Sequence, residues 1–195
     1  MSEQTQLWLI RHGETEWSLS GQHTSRTDVP LTEQGRRRAE ALRDYLGRRK
    51  FAAVFTSPMQ RARETCAIAG YGAQAVVDDG LREWDYGVYE GRTTAEIRAE
   101  IPGWNVWKVT IVGGEALEQV SERASGVIRR ALEAGAGGDV ALFAHAHILR
   151  ILAAKWLGMS GSCGQMLALG TGSLSVLGHE RETRVIENWN REFGE

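Results

Sequence analysis

The sequence predicts an α/β fold, a three-layer α/β/α sandwich with a mostly parallel central sheet. Three observations carry that expectation. Short apolar runs at 7–10, 51–55 and 140–144 have the length and composition of buried strands. Amphipathic segments of helical period separate them, and parallel neighbours need such crossovers. Two of the runs stop abruptly at an imidazole, at Arg11-His12 and at His145. In open α/β sheets, ligands bind in the crevice beyond the C-terminal ends of the strands.

Taken in order, the run at 7–10 is the first strand, with Arg11, His12 and Gly13 at its C-terminal end. Gly13 permits a sharp turn or a close approach to a ligand. Residues 13–30 contain Gly13, Gly21, Asp28 and Pro30 and read as a long loop, a kind of segment that is often functional. Its side chains Ser18, Gln22, His23 and Thr24 are within reach of Arg11-His12. Thr32 is an N-cap candidate for a helix over 33–49, with Ala39, Leu42, Tyr45 and Leu46 at helical spacing. The second strand covers 51–55. Ser57 and Pro58 suit the cap and first position of the next helix, which Gly70 and Gly72 close. Arg61 lies one turn in, and that helix N-terminus favours an anion.

Val76-Val77 is a short strand candidate. Residues 80–115 read as a small irregular lobe, with a short helix near 93–100. Glu83, between apolar and aromatic neighbours, fits a pocket that favours the protonated acid. Leu117, Val120, Ala124, Val127, Ile128 and Ala131 form one face of a long helix ending at Gly135. The strand at 140–144 runs into His145 and a helix to Leu157, stopped by Gly158. His145 and His147 form a His-x-His pair, but no Cys or Asp cluster accompanies it, so no metal is expected. Residues 173–177 and 183–188 complete the chain as a strand pair whose edge suits a homodimer.

Composition narrows the function classes. The 195 residues are 42% hydrophobic and 25% charged, the balance of one globular domain spanning 1–195. A formal net charge of −2 leaves no footprint for nucleic acid or an anionic membrane. The clusters Arg36-Arg37-Arg38 and Arg48-Arg49-Lys50 sit near Glu33, Glu40 and Asp44 and read as solvated helix surface. Cys66 and Cys163 show neither metal spacing nor a disulfide framework. The polar start followed by four apolar residues is too short for a signal peptide or a membrane span, so a cytoplasmic protein with reduced thiols is expected.

Parallel strands would deliver Arg11, His12, Arg61 and His145 to one edge. Two guanidiniums, two imidazoles and a helix N-terminus suit an anion with several oxygens, such as a phosphate monoester. No P-loop and no carboxylate cluster for a divalent ion is visible, so charge neutralisation falls to the protein's own cations. A neutral imidazole is a competent nucleophile toward phosphorus, and a carboxylic acid such as Glu83 can protonate the leaving alcohol.

The strings RHGETEWS at 11–18, SP-x-x-R-A-x-x-T at 57–65, LREWDYGVYEG at 81–91 and AHAHILR at 144–150 resemble, in order and spacing, the histidine phosphatase superfamily. The likeness is to its small bacterial acid phosphatases and sedoheptulose bisphosphatases. It implies a phosphoglycerate mutase-like fold and a metal-independent phosphatase of small phosphate monoesters such as sugar phosphates, needing no cofactor. His12 looks like the phosphorylated nucleophile and Glu83 like the proton donor. Arg11, Arg61 and His145 look like the phosphate pocket, with Ser18, Gln22, Thr24 and the Ala146 N–H as further contacts. Ser18 stands where mutases usually carry Asn, Ala116 where Ser or Thr is frequent, and Ala146 where the family carries Gly. The Ala146 methyl is expected to crowd the phosphate or forbid a positive φ. The alternatives are a phosphoglycerate mutase, disfavoured by an end at Glu195 soon after the last strand, and a non-catalytic phosphate-ligand-binding domain.

Overall fold

In the computed structural model, which describes residues 4–47 and 49–193, the chain builds one six-stranded sheet. The strands are β1 (Leu7–Arg11), β2 (Ala53–Thr56), β3 (Val76–Val77), β4 (Val140–Ala144), β5 (Leu174–Glu180) and β6 (Thr183–Arg191), in the order β3-β2-β4-β1-β5-β6. β3, β2, β4 and β1 are mutually parallel, while β5 runs antiparallel to β1 and β6 antiparallel to β5. The register aligns Arg11 with Ala144 and Thr56 with Phe143, so three parallel strands end on one edge.

Alternation along the central strands explains the layers. Leu7, Leu9, Val140 and Leu142 face one way, and Trp8, Ile10, Ala141 and Phe143 face the other. The first face packs on α5 (Leu117–Gly135) and α6 (Ala146–Trp156), the second on α2 (Glu33–Leu46) and α3 (Gln60–Ile68). Because both faces are covered, β1 and β4 read as unbroken apolar runs.

Several expectations need correction. The segment 13–30 is not without regular structure: α1 (Glu16–Ser20) lies in it, closed by a capping box between Thr15 and Ser18 and by Gly21 at φ 76. None of its five residues is buried, so it carries no apolar period. α2 ends at Leu46, with Gly47 at φ 57 as its cap, instead of running to 49. Position 48, part of the Arg48-Arg49-Lys50 cluster, lies outside the described residues, as do the first three and last two positions of the expected 1–195 domain. α3 begins at Gln60 with Met59 as its cap, so Ser57 and Pro58 precede the helix. The Ser57 N–H stays with the sheet, donating to Phe143 O at 2.9 Å.

The lobe at 80–115 is built from two short 3-10 turns, Asp79–Leu81 and Gly87–Tyr89, and from α4 (Thr94–Glu100), whose capping box joins Thr93 and Glu96. Trp84, Ile97 and Trp104 are buried with the α5 and α6 side chains, which ties the lobe to the main core. A further 3-10 segment, Gly161–Met166, follows α6 and has no counterpart in the sequence reading. No helix among the described residues is long and apolar enough to cross a membrane.

Candidate active site

Arg11 closes β1, and the next N–H, that of His12, still donates to Ala144 O at 2.9 Å. His12 is therefore fixed by sheet pairing. Gly13 turns away with its N–H on Thr65 Oγ1 at 3.0 Å. A Cβ at Gly13 would lie 2.5 Å from the Gly35 carbonyl oxygen. The glycine thus answers the close approach of the first turn of α2, not a ligand and not a positive φ.

The two imidazoles have assigned tautomers. His12 Nδ1 is 2.7 Å from Gly13 O, a group that only accepts, so Nδ1 carries the proton and Nε2 keeps its lone pair. His145 Nδ1 takes the Arg61 Nε–H at 3.1 Å, so its proton is on Nε2 and points to Ser57 Oγ at 2.8 Å. The two rings are 5.1 Å apart, centroid to centroid. Burial, and then the Arg11 and Arg61 guanidiniums, hold His12 well below the usual imidazole range. Burial followed by Arg61 does the same to His145. Both rings are neutral at physiological pH, which is the nucleophilic form of His12.

Arg61 is fully buried and spends its donors inward. Nη1 donates to Thr27 O at 3.0 Å, and Nη2 to Thr24 O at 3.3 Å and Ser25 O at 3.2 Å. It holds the loop after α1 and orients His145. The expected anion site at the α3 N-terminus is not free either, because Asp28 Oδ1 accepts the Gln60 N–H at 2.7 Å.

The helix N-terminus that faces the cavity is that of α6. His147 and Ile148 donate their N–H groups to Glu83 Oε2 and Oε1, each at 3.0 Å, and Trp84 N–H donates to Oε1 at 2.9 Å. The expected apolar setting for Glu83 is therefore a polar one, with three backbone amides around a carboxyl that is 6% exposed. The Ala146 N–H has no partner among the described residues. Ala146 sits in ordinary helical conformation, so its methyl meets no positive φ, contrary to the sequence expectation.

These groups surround a cavity of about 180 Å³ lined by Arg11, His12, Glu83, Ala146 and His147, and by Thr15, Trp17, Ser18, Gly21, Gln22, His23, Thr24 and Tyr86. Arg61 and His145 are not in the lining and stand behind it. Arg11 donates through Nη1 to Leu169 O, and its buried Nε has no partner. Ser18, Gln22 and Thr24 line the cavity with their side chains already engaged. Ser18 Oγ bonds Thr15 O at 2.8 Å, Gln22 Nε2 bonds Gly91 O at 2.7 Å, and Thr24 Oγ1 bonds Gln22 O at 2.9 Å.

Tyr86 and His147 join the site only in the fold. Tyr86 Oη lies 2.6 Å from His147 Nδ1, and nothing in the local sequence announces a contact across 61 positions. The His145 and His147 rings thus go to different partners. Ser57 is read from sequence as a cap, yet it is the acceptor for His145.

Residues 7–192 match the profile of the histidine phosphatase superfamily, branch 1. An acid phosphatase of Mycobacterium tuberculosis is 38% identical over 182 residues, covering 92% of this chain and 89% of its own length. A sedoheptulose 1,7-bisphosphatase of Saccharomyces cerevisiae is 37% identical, covering 77% of this chain and 67% of its own. Among solved structures, the product of an open reading frame of Mycobacterium tuberculosis superposes with a TM-score of 0.91 at 36% identity, over 96% of this chain and 98% of the other. The chain belongs to the histidine phosphatase superfamily.

Proposed function

We propose that this chain is a phosphomonoesterase of small phosphate esters that works through a phosphoryl group carried on His12. The observation that carries this reading is the state of His12. It is buried, neutral and fixed by Gly13 O, with an unengaged Nε2 beside a cavity that Arg11 and Ala146 also line.

In the first step His12 Nε2 forms a bond to phosphorus while the bond from phosphorus to the ester oxygen breaks. Glu83 delivers a proton to the departing oxygen. Arg11 and the α6 N-terminus neutralise charge on the peripheral phosphoryl oxygens. In the second step a water oxygen bonds to phosphorus while the bond from phosphorus to His12 Nε2 breaks, Glu83 takes the water's proton, and inorganic phosphate leaves. Arg61 acts mainly through His145 and the loop, which it holds in place. The relatives' names, one an acid phosphatase and one acting on a bisphosphorylated sugar, support small phosphorylated metabolites as the substrate class.

The test is phosphate release from a panel of phosphorylated metabolites in the presence of EDTA, run beside interconversion of 3- and 2-phosphoglycerate. Release in EDTA is expected. Interconversion without release would make the protein a mutase, and silence in both with phosphate protecting against heat would make it a binding domain.

A further inference from the structure

The geometry points to Tyr86 and His147 as the pair that selects the alcohol half of the ester: they receive a hydroxyl on the carbon adjacent to the one that bears the ester oxygen, which makes phosphates of vicinal diols and polyols the preferred class. The inference rests on the phosphatase reading, with Glu83 as the proton donor.

Position is the first argument. A proton donor must touch the ester oxygen, so that oxygen lies against Glu83. The His147 N–H donates to Glu83 Oε2 at 3.0 Å, and the same residue's Nδ1 is 3.9 Å from that oxygen. The imidazole is thus anchored beside the departing oxygen, where the next carbon of the alcohol would carry its substituent. Trp107, Tyr86 and Trp84 pack around the ring with centroids 5.1, 5.7 and 6.0 Å away, which leaves it little freedom to turn.

Chemistry is the second argument. Burial pushes the Tyr86 phenol well above its ordinary range, with Glu83 adding to the rise, and burial holds His147 well below its own. The pair therefore holds one phenolic and one imidazole proton. Tyr86 Oη has no partner among the described residues except His147 Nδ1. If Nδ1 were the donor, the buried phenolic proton would have no acceptor. The phenol therefore donates, and the imidazole proton sits on Nε2, which has no partner among the described residues.

A neutral N–H donor and a phenolic oxygen with a free lone pair suit a neutral hydroxyl. Arg11 is the one guanidinium lining the cavity among the described residues, and the phosphoryl group occupies it. Arg150, one turn beyond His147, turns its Nε to Gly164 O at 3.0 Å and Nη2 to Gln165 O at 3.2 Å.

The experiment compares kcat/KM for 2-hydroxyethyl phosphate and ethyl phosphate, which differ by one hydroxyl, with p-nitrophenyl phosphate as the reference. The wild type is expected to prefer the hydroxyethyl ester by about tenfold, the size of one or two neutral hydrogen bonds. Tyr86→Phe and His147→Asn should reduce that ratio to about twofold or less while still turning over p-nitrophenyl phosphate. A wild type that hydrolyses p-nitrophenyl phosphate without preferring the hydroxyethyl ester overturns the inference. So do variants that slow both alkyl esters equally and keep the ratio, because a purely structural role predicts that pattern. Failure of the wild type to release phosphate from any of the three would strike the phosphatase reading itself.

Discussion

Glu83→Gln is the substitution that separates structural from chemical roles in this site. It preserves size but removes one acceptor oxygen and the ability to give up a proton. Oε1 accepts from Trp84 and Ile148 and Oε2 from His147, all at 2.9 to 3.0 Å in a side chain that is 6% exposed. An amide oxygen can replace only one of the two carboxylate oxygens. With the oxygen toward Trp84 and Ile148, the amide NH₂ faces the His147 N–H, donor against donor. A buried unsatisfied donor costs about 1–3 kcal/mol. The expected loss is about 1–3 kcal/mol, or a fall in Tm of about 2–12 °C for a chain of this size. Urea unfolding followed by the fluorescence of the seven tryptophans reads it as a lower midpoint with an unchanged slope. Activity should fall more for alkyl phosphates than for p-nitrophenyl phosphate, whose anion leaves with little protonation, by about tenfold or more. A variant within about 0.5 kcal/mol of the wild type, or one that loses activity equally on both esters, would refute the reasoning.

Gly13→Ala places a Cβ 2.5 Å from the Gly35 carbonyl, backbone against backbone, and should cost about 2 kcal/mol or more in the same unfolding assay. Ala146→Gly, in a helical position, should change kcat/KM by less than about threefold and stability by about 0.5 kcal/mol, and a large gain in activity would revive steric crowding by the methyl. For His12, His145 and His147 the folded state holds the imidazole well below its ordinary value, so acidification through pH 6.5 protonates the unfolded chain first. Stability is then fully present above the unfolded value and declines as pH falls toward the folded values. The slope reaches about 4 kcal/mol per pH unit if all three rings stay neutral. Urea midpoints that are flat between pH 7 and pH 5 would contradict the three neutral rings. The same lowering of His12 puts the acid limb of kcat/KM below pH 6.5, and a limb at or above that value would show that His12 titrates as an ordinary imidazole.

What the sequence made legible depended on burial. β1 and β4 are covered on both faces, so their residues form apolar runs that need no partner to be seen. α5 declares itself through one buried stripe. By contrast α1 is five residues with no buried side chain, held by a capping box whose significance appears only once the chain turns there. At the start of α3, Ser57 and Pro58 suit a helix start locally, but the sheet claims Ser57 through Phe143 O and His145 claims its hydroxyl. In the site, strand ends and motif strings locate Arg11, His12, Glu83 and His145. Their partners are another matter. The Arg61–His145 bond spans 84 positions and the Tyr86–His147 bond 61, so both follow from register and packing instead of local pattern. The helix dipole shows the same limit: α3 and α6 each begin just beyond the end of a parallel strand, and only the fold reveals that Asp28 fills one N-terminus while the other meets Glu83 and the cavity.

The most direct test of the account is to mix the enzyme with excess phosphate ester, quench it in alkali within one turnover, and map the phosphoryl group by mass spectrometry. An acid-labile, alkali-stable phosphoryl group is expected on His12 and absent from His12→Gln, which should fold normally and fail to turn over. Turnover with no phosphoryl group on His12, or a His12→Gln variant of near wild-type activity, would contradict it.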